Sequence, residues 1–420
     1  MQGMWRAYET LINEYLHYFP CVVLVGARQT GKSTLIESMS AGREIFDLES
    51  QADFEQIHRD PDLFLRLNNH PLAIDEAQLL PALFPALRVA IDRNRNHYGK
   101  YLLSGSSSPA LLTAISESLA GRVGIIEIAP FSLTEIQGIA APYLLQLLND
   151  GVTAESIMQL PDPTKMPTNI DIDRYWLDGG YPEPVLRGSQ QDDNRFRELW
   201  YQQYLKTYVE RDIAALFPRL DAIRFRRFIA LLAGCSGIII NYANIARLLD
   251  VSQPTAKDYF RIAEGTFLWR QLPAWHQSQS KRLVKHPRGF LRDSGLLHHL
   301  LQLPNLQRLQ SHPQMGNSWE GMVVEEILRI LNAAGLSYTA YTYRTAAGAE
   351  VDIILEGVFG LLPIEIKHTQ TVNSRHLRAL RDFVQDYDCP FGIVVNRDEK
   401  VRRYDERLVG IPFSWLIGNS

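Results

Sequence analysis

The sequence predicts a multidomain α/β protein, and three patterns along its 420 residues support this fold class. A glycine-rich loop at 26–33 follows an apolar run that has the length and composition of a buried strand. A helix, a three-residue turn and a second helix follow at 242–264, within a basic segment. Two apolar strands at 349–367 carry carboxylates and a lysine. We therefore expect several domains with different chemistry.

The loop at 26–33 has the pattern G-x-x-x-x-G-K-S and directly follows the apolar run 21–25. Glycines allow backbone N–H groups to close around phosphate oxygens, and the N-terminus of the next helix favours negative charge. Lys32 is expected to reach the β- and γ-phosphates of ATP, and the Ser33 hydroxyl to ligate Mg²⁺. A chance glycine-rich turn is the disfavoured alternative. The predicted ATP-binding residues of this loop are Gly26, Ala27, Arg28, Gln29, Thr30, Gly31, Lys32, Ser33 and Thr34.

A second apolar strand, at 71–74, ends in the adjacent carboxylates Asp75 and Glu76. Asp75 is predicted to bind ATP as part of the Mg²⁺ shell, and Glu76 to polarise the attacking water. The alternative is a pair of solvated acids at a strand end. Together with the loop, the pair predicts hydrolysis of ATP rather than binding alone.

Two further positions in this region are candidates for the nucleotide site. Ser106, in the cluster Ser104–Ser108 after the strand 101–103, is predicted to sense the nucleotide, although such clusters also form simple turns. Arg122 ends a helix before the strand 123–128 and is predicted to reach the γ-phosphate of a neighbouring subunit. A cationic cap on the helix C-terminus is the alternative for Arg122.

The segment 217–292 contains 13 Lys or Arg and 4 Asp or Glu, a local charge of +9 in a chain of net charge −4. Its helix–turn–helix and the strand predicted at 266–272 are typical of a winged helix-turn-helix. Such a module binds DNA or packs against protein, and the local charge favours DNA. The predicted DNA-binding residues are Gln253, Thr255, Lys257 and Arg261.

The third pattern places Asp352 on one strand and Glu365-x-Lys367 on the next, with Glu320 on a preceding amphipathic helix. Alternation along the strand puts Glu365 and Lys367 on one face, so the carboxylates could share Mg²⁺ while Lys367 activates water. The predicted metal ligands are therefore Glu320, Asp352 and Glu365, with Asp352, Glu365 and Lys367 as catalytic residues. An exposed acidic hairpin and an inactive nuclease fold that acts as a binding platform are the alternatives.

Five motifs, at 26–32, 74–78, 104–107, 117–122 and 208–213, together resemble the prokaryotic AAA-type P-loop ATPases fused to a restriction-endonuclease-like, PD-(D/E)XK, domain. The resemblance implies an ATPase core with an additional strand, a helical lid, a DNA-binding-type middle, a nuclease-like C-terminal domain and work as an oligomer. It also implies that Arg211 contacts nucleotide, with an ion pair to another element as the alternative. The corresponding predicted domains are 1–140, 141–216, 217–305 and 306–420.

The bulk properties of the sequence exclude several other classes of protein. No apolar run approaches the roughly 20 residues that a membrane helix needs. The first residues show no basic region followed by an apolar one, so no secretion signal is expected. The three cysteines are far apart, which disfavours a disulfide framework or a zinc site. We therefore predict a cytoplasmic protein without a membrane partner.

The functional hypothesis is a protein that uses ATP and Mg²⁺ to remodel or translocate duplex or branched DNA, with metal-dependent cleavage coupled to it. It would act as a homo-oligomer, with a hexameric ring as one candidate assembly. The alternative is a nucleotide-controlled regulatory or scaffold ATPase whose winged helix and inactive nuclease-like domain bind protein partners. A third hypothesis is a DNA-dependent motor with an inactive nuclease domain.

Overall fold

The computed structural model describes residues 4–106, 115, 117–149, 158, 171–191, 194–217, 220–277, 286–345 and 348–418. The chain divides into two compact units. The first unit comprises Met1–Phe131 and Gly265–Leu268, and the second comprises Ser132–Glu264 and Trp269–Ser420. Within the described ranges, no helix has both the length and the apolarity required to cross a bilayer. The division into four domains stays a prediction.

The first unit is built on a parallel sheet of five strands in the order β2-β3-β4-β1-β5. Every residue of β1 is buried, because a parallel sheet is covered on both faces. Strand β4 lies between β1 and β3, so the additional strand that the resemblance implies is present. The strands are β1 (Cys21–Gly26), β2 (Glu44–Asp47), β3 (Leu72–Asp75), β4 (Tyr101–Ser106) and β5 (Val123–Glu127).

The helices of the first unit pack against this sheet through apolar residues that recur along one helix face. In the helix Leu83–Arg93, for example, Leu83, Leu87 and Ile91 recur at a spacing of four and are buried. The helices are α1 (Tyr8–Tyr18), α2 (Lys32–Ser38), α3 (Gln51–His58), α4 (Pro61–Leu67) and α5 (Leu83–Arg93), with a 3₁₀ turn at Ala77–Leu79.

The second unit contains two sheets. A small antiparallel sheet has the order β6-β8-β7, and a mixed sheet has the order β13-β14-β12-β11-β10-β9. The small sheet comprises β6 (Ile238–Ile239), β7 (Trp269–Leu272) and β8 (Arg288–Leu291). The mixed sheet comprises β9 (Tyr338–Arg344), β10 (Glu350–Gly357), β11 (Gly360–Ile366), β12 (Gly392–Asn396), β13 (Arg402–Arg403) and β14 (Leu408–Pro412).

The helices of the second unit fall into three stretches of the chain. The first stretch contains α6 (Leu133–Ile136), α7 (Tyr143–Asn149), α8 (Ile172–Asp178), α9 (Pro182–Gln191), α10 (Asn194–Tyr204), a π-helical segment (Leu205–Asp212) and α11 (Ile213–Leu216). The second contains α12 (Ala222–Cys235), α13 (Tyr242–Leu249), α14 (Gln253–Gly265), α15 (Ser294–Leu300) and α16 (Leu306–Gln310). The third contains α17 (Met315–Ala333), a 3₁₀ turn (Ser374–Leu377), α18 (Arg378–Asp386) and α19 (Phe413–Leu416).

One hydrophobic core joins helices α7 and α8 to α17 and the mixed sheet. The ring of Tyr143 stacks on Trp415 with centroids 4.4 Å apart, and the Tyr143 N–H donates to the Gly418 carbonyl oxygen at 2.8 Å. The helices expected to form a lid therefore share their core with the C-terminal sheet.

The predicted α/β class is confirmed, and the parallel five-stranded sheet is consistent with the predicted P-loop ATPase core. Around the helix–turn–helix, β6 comes between α12 and α13, and β7 and β8 follow α14. The strand expected at 266–272 begins only at Trp269, because Phe267 has a φ of 57°, which an extended strand does not accommodate. That residues 217–305 form a winged helix and that residues 306–420 form a nuclease-like domain stay predictions.

Candidate functional site

The glycine-rich loop joins β1 to α2 and requires glycine at two points. Gly31 has a φ of 86° immediately before α2 begins at Lys32. At Gly26, a Cβ atom would lie only 2.2 Å from the carbonyl oxygen of Ile128. Any side chain at position 26 would therefore displace the backbone that follows β5.

Lys32 lies inside the loop. Its Nζ donates hydrogen bonds to the carbonyl oxygens of Gly26 (3.2 Å) and Ala27 (2.7 Å), and the side chain is buried. Burial lowers the pKa of Lys32 to about 8, while the carboxylates of Glu76 and Asp75 act in the opposite direction. The ammonium thus bonds loop carbonyls whose place phosphate oxygens could take.

Asp75 is buried at the end of β3, where its Oδ1 accepts hydrogen bonds from the Ser104 hydroxyl and from the Glu76 N–H at 2.9 Å. Burial is the main cause that raises the pKa of Asp75, and a hydrogen bond from Ser33 opposes it. Ser33, the other predicted Mg²⁺ ligand, is thus close enough to Asp75 to affect its pKa. A hydroxyl and a carboxylate at the end of a phosphate-binding loop fit a hard cation of this kind.

Glu76 is a non-glycine residue with a positive φ, 52°, which is uncommon and is frequent at functional sites. Its carboxylate accepts a hydrogen bond from the side-chain amide of Gln78. This backbone conformation orients the predicted catalytic carboxylate.

The remaining predicted nucleotide residues of the first unit occupy different environments. Ser106 pairs in register with Gly26, which brings it next to the start of the loop. The buried Thr30 hydroxyl donates to the Ala27 carbonyl oxygen, whereas Thr34 is exposed on α2. Arg28 lies 3.9 Å from the carboxylate of Glu49.

Two residues that contact the loop or Asp75 were not selected from the sequence. Ser104 belongs to the serine cluster, but only the position of β4 beside β3 reveals its contact with Asp75. Arg6 is buried and donates to the carbonyl oxygens of Thr30 (2.7 Å) and Ala129 (2.8 Å). No sequence pattern links Arg6 to a loop more than twenty residues away.

Arg122, the predicted arginine finger, is held within its own chain. Its Nε and NH2 donate to the two carboxylate oxygens of Asp92 at 2.8 and 2.9 Å, and its NH1 donates to the Ala120 carbonyl oxygen at 3.0 Å. A role in a neighbouring site would require this bidentate pair to open. The sequence did not anticipate Asp92 as a partner.

Arg211 falls in the π-helical segment, but its side chain lies outside the described residues. Its predicted nucleotide contact therefore stays a prediction.

The predicted DNA-binding residues lie on α14. Gln253 and Lys257 are exposed, and the Lys257 ammonium lies 5.5 Å from the centre of the Tyr242 ring. Arg261 is exposed and paired with Asp258 at 2.9 Å. Thr255 is half-buried, and its hydroxyl lies 2.9 Å from that of Ser252.

The local charge of +9 overstates the positive surface of the segment 217–292. Arg270 and Arg292 both donate to the buried carboxylate of Glu325. Arg288 is also buried, in contact with Glu320 and Asp352. These three cations neutralise internal carboxylates, so they are withdrawn from any contact with nucleic acid.

The predicted C-terminal cluster is brought together but is neutralised by protein cations. Glu320 on α17, Asp352 on β10 and Glu365 on β11 are all buried. Arg288 NH2 donates to Glu320 Oε2 at 2.7 Å, and its NH1 to Asp352 Oδ1 at 3.2 Å. Lys367 Nζ donates to Glu365 Oε1 at 2.5 Å.

These residues do not fit a divalent cation in this arrangement. Within the ranges that the structure describes, no group of three or more His, Cys, Asp or Glu side chains could hold a metal ion. The guanidinium of Arg288 lies between Glu320 and Asp352, which were two of the three predicted ligands. The sequence does not predict Arg288 as a partner of these carboxylates, because Arg288 lies on a strand of the other sheet.

Three family matches cover most of the chain. Residues 18–137 match the family described as an AAA domain. Residues 169–307 match a domain of unknown function, DUF8612, and residues 315–416 match another, DUF4143.

The chain is also similar to two curated proteins of mycobacteria. It is 35% identical over 404 residues to uncharacterized protein Rv2008c of Mycobacterium tuberculosis, a match that covers 96% of this chain and 82% of the relative. Uncharacterized protein Mb2031c of Mycobacterium bovis matches with the same identity and coverage.

Among solved structures, a RuvB variant of Thermotoga maritima matches with a TM-score of 0.30 and 16% identity, over 63% of this chain and 89% of that chain. The Pif1 helicase from Candida albicans matches with a TM-score of 0.22 and 14% identity, over 41% and 50% of the two chains. Scores this low carry no conclusion about function. The sequence matches do establish the family: this chain belongs with the mycobacterial proteins Rv2008c and Mb2031c, and its residues 18–137 match the AAA domain.

Proposed function

We propose that this protein binds ATP with Mg²⁺ in the loop at 26–34 and hydrolyses it. The carrying observation is that the buried ammonium of Lys32 donates to loop carbonyl oxygens, while the buried carboxylate of Asp75 accepts from the Ser104 hydroxyl at the end of β3. In this proposal Lys32 binds the β- and γ-phosphates, and Ser33 and Asp75 hold the metal ion, which neutralises charge on the phosphates.

Glu76 is the proposed group that orients and polarises the attacking water. Its carboxylate belongs to the residue directly after Asp75, and its interaction with Lys32 is among those that raise the lysine pKa. The carboxylate therefore lies near the end of the loop that would hold the γ-phosphate. A general base at this position contributes about 100- to 10,000-fold to such a reaction.

Phosphate release from ATP tests this assignment. The wild type and the Lys32→Ala and Glu76→Gln variants are compared at saturating Mg²⁺, with an Arg88→Ala variant on the exposed side of α5 as control. Loss of turnover in the first two variants, with the control at the wild-type rate, supports the proposal. Full turnover in both would refute it.

We further propose that the energy of hydrolysis acts on DNA bound by α12 and α14. Exposed cations on these helices support this target, since phosphate contacts require positive groups at the surface. Turnover measured with single-stranded, duplex and branched DNA tests it, with the products run on a denaturing gel. Stimulation by one of these DNAs supports the proposal, and no measurable binding at low salt contradicts it.

A regulatory or scaffold ATPase is the second candidate function, and the pairing of Arg288 with Glu320 and Asp352 favours it over a nuclease. A cluster neutralised by protein cations is suited to structure rather than to metal-dependent cleavage. In this alternative the second unit binds a protein partner. Nucleotide-dependent co-purification of the same partner by wild type but not by Lys32→Ala, without DNA binding, would support it.

A further inference from the structure

We propose that Arg288 is the resident cation of the cluster formed by Glu320, Asp352 and Glu365, and that its guanidinium excludes divalent metal from this site. The proposal is independent of ATP hydrolysis. All four residues lie in the second unit. In this cluster, Arg288 takes the place of the metal ion that the sequence predicts.

Arg288 forms hydrogen bonds through each of its three guanidinium nitrogens. Its Nε donates to the carbonyl oxygen of Gly237 on the adjoining turn, and its two other nitrogens donate to carboxylates of α17 and β10. The residue is 7% exposed, so water screens these pairs little. All three guanidinium nitrogens therefore have partners on three different elements.

Asp352 and Glu320 are the two carboxylates that accept hydrogen bonds from Arg288. Asp352 Oδ1 accepts from Arg288, and its Oδ2 accepts from the backbone N–H of Ile366 at 2.8 Å. Glu320 accepts from Arg288 alone among the hydrogen bonds of the described residues. A metal ion that bridged Glu320 and Asp352 would have to displace the guanidinium from both.

Glu365 is the third carboxylate of the cluster and does not bond the guanidinium. Its Oε1 accepts from Lys367, whereas its Oε2 is buried without a hydrogen-bond partner within the described chain. The residue is 6% exposed. Because a buried carboxylate oxygen without a partner is costly, this atom marks unused ligand capacity.

The cluster contains protein cations as well as carboxylates. Arg288 contacts Glu320 and Asp352, and Lys367 contacts Glu365, so two positive side chains lie against three carboxyl groups. The protein thus supplies the positive charge that a metal ion would bring.

Removing the guanidinium should convert this cluster into a metal site. Arg288→Met keeps an unbranched side chain and removes the charge, while the three carboxylates stay in place. Arg288→Lys keeps a positive charge and serves as the matched control. All proteins carry Asp75→Asn, so that the proposed Mg²⁺ site of the first unit does not contribute.

Binding of Mn²⁺ to the full chain, measured from the electron paramagnetic resonance of the free ion without nucleotide, is the test. We expect no Asp352-dependent Mn²⁺ binding in the parent protein or in Arg288→Lys. We expect one bound Mn²⁺ in Arg288→Met, and its loss when Asp352→Asn is added.

Two outcomes would overturn the proposal. The first is Mn²⁺ binding by the parent protein that Asp352→Asn abolishes, because the guanidinium would then not exclude the metal. The second is a folded Arg288→Met variant that binds no Mn²⁺. If Arg288→Met does not fold, the parent and its Asp352→Asn variant alone decide the question, since only a metal site would make their Mn²⁺ binding differ.

Discussion

The guanidinium of Arg6 donates a hydrogen bond of 2.7 Å to the carbonyl oxygen of Thr30. A second donation, to Ala129, ties the phosphate-binding loop to the segment that follows β5. The same guanidinium carbon lies 4.7 Å from the centre of the Phe131 ring. Arg6 thus holds the loop backbone in position and adds a positive charge beside Lys32.

We expect Arg6→Met to weaken ATP binding by about tenfold or more, because a hydrogen bond from a charged group contributes about 1.5–3 kcal/mol. Titration with a fluorescent ATP analogue measures the dissociation constant. Arg88→Met is the control, since Arg88 is exposed on α5. An unchanged dissociation constant in a folded Arg6→Met variant would show that the contact does not support the loop.

Arg122 forms a bidentate pair with Asp92 of its own chain, so its predicted role in a neighbouring subunit needs a separate test. If Arg122 completes a neighbour's site, Arg122→Ala and Lys32→Ala should each be inactive alone. Their mixture should regain part of the wild-type turnover, because some interfaces then combine an intact loop with an intact arginine. Phosphate release from the mixture, titrated over the ratio of the two proteins, is the measurement.

Asp92→Asn distinguishes the two roles of Arg122. A finger released from Asp92 would leave turnover at or above the wild-type level. If the pair serves only structure, Asp92→Asn and Arg122→Ala should lower the unfolding temperature alike, and folded Arg122→Ala should hydrolyse ATP without Lys32→Ala present. The second result would remove Arg122 from the proposed mechanism.

The local parts of the nucleotide site could be predicted from the sequence, and the long-range contacts could not. The positions of Lys32 and Ser33 at the start of α2 follow from a short motif whose backbone geometry is set by nearby glycines. The contact of Ser104 with Asp75 depends on the order of strands in the sheet. The contact of Arg6 with the loop depends on how α1 and its preceding residues pack, which no periodicity encodes.

The proposed DNA surface predicts a change in salt dependence. Lys257→Ala removes one exposed cation from α14, so the slope of log affinity against log salt should fall by about 0.9 for duplex DNA. Fluorescence anisotropy with labelled duplex at several salt concentrations measures this slope. Arg375→Ala, at an exposed position of the 3₁₀ turn Ser374–Leu377, is the matched control. Equal slopes for wild type and Lys257→Ala would exclude a phosphate contact at this lysine.

The buried His298 predicts a pH dependence of the second unit. Its ring nitrogens lie 2.6 Å from the Ser318 hydroxyl and 3.1 Å from the Leu177 carbonyl oxygen, and burial lowers its pKa from 6.5 to about 4. The unfolded chain therefore binds a proton on this residue between these pH values and the folded chain does not. This contribution to stability, present above pH 6.5, is lost as the pH falls to about 4, and amounts to about 3 kcal/mol.

The free energy of unfolding in urea is measured at pH 7 and pH 5 for wild type and His298→Gln. The difference between the two proteins in their pH dependence gives the contribution of His298. Tryptophan fluorescence is a suitable signal, because six of the seven tryptophans lie in the second unit. The free energy of unfolding should fall more steeply towards pH 5 in wild type than in the variant. Parallel pH dependences would exclude His298 as the cause.

In the C-terminal cluster, the sequence motif predicted the carboxylates but not the cation that neutralises them. The strands that carry Asp352 and Glu365 were predicted within one or two residues of their observed bounds, because their apolar runs and the intervening turn are local signals. The motif did not predict Arg288, which lies 64 residues before Asp352. A carboxylate pattern specifies negative charge, but only the tertiary structure shows whether a metal ion or an arginine neutralises it.

The most direct test of ATP hydrolysis by this protein is phosphate release by Glu76→Gln, measured beside its affinity for ATP. We expect turnover to fall by roughly 100-fold or more while ATP still binds, because the amide cannot act as a general base but the loop at 26–34 is intact. Glu55→Gln, at an exposed position of α3 in the same unit, should keep the wild-type rate. Wild-type turnover in Glu76→Gln, or no turnover in the wild type itself, would contradict the account.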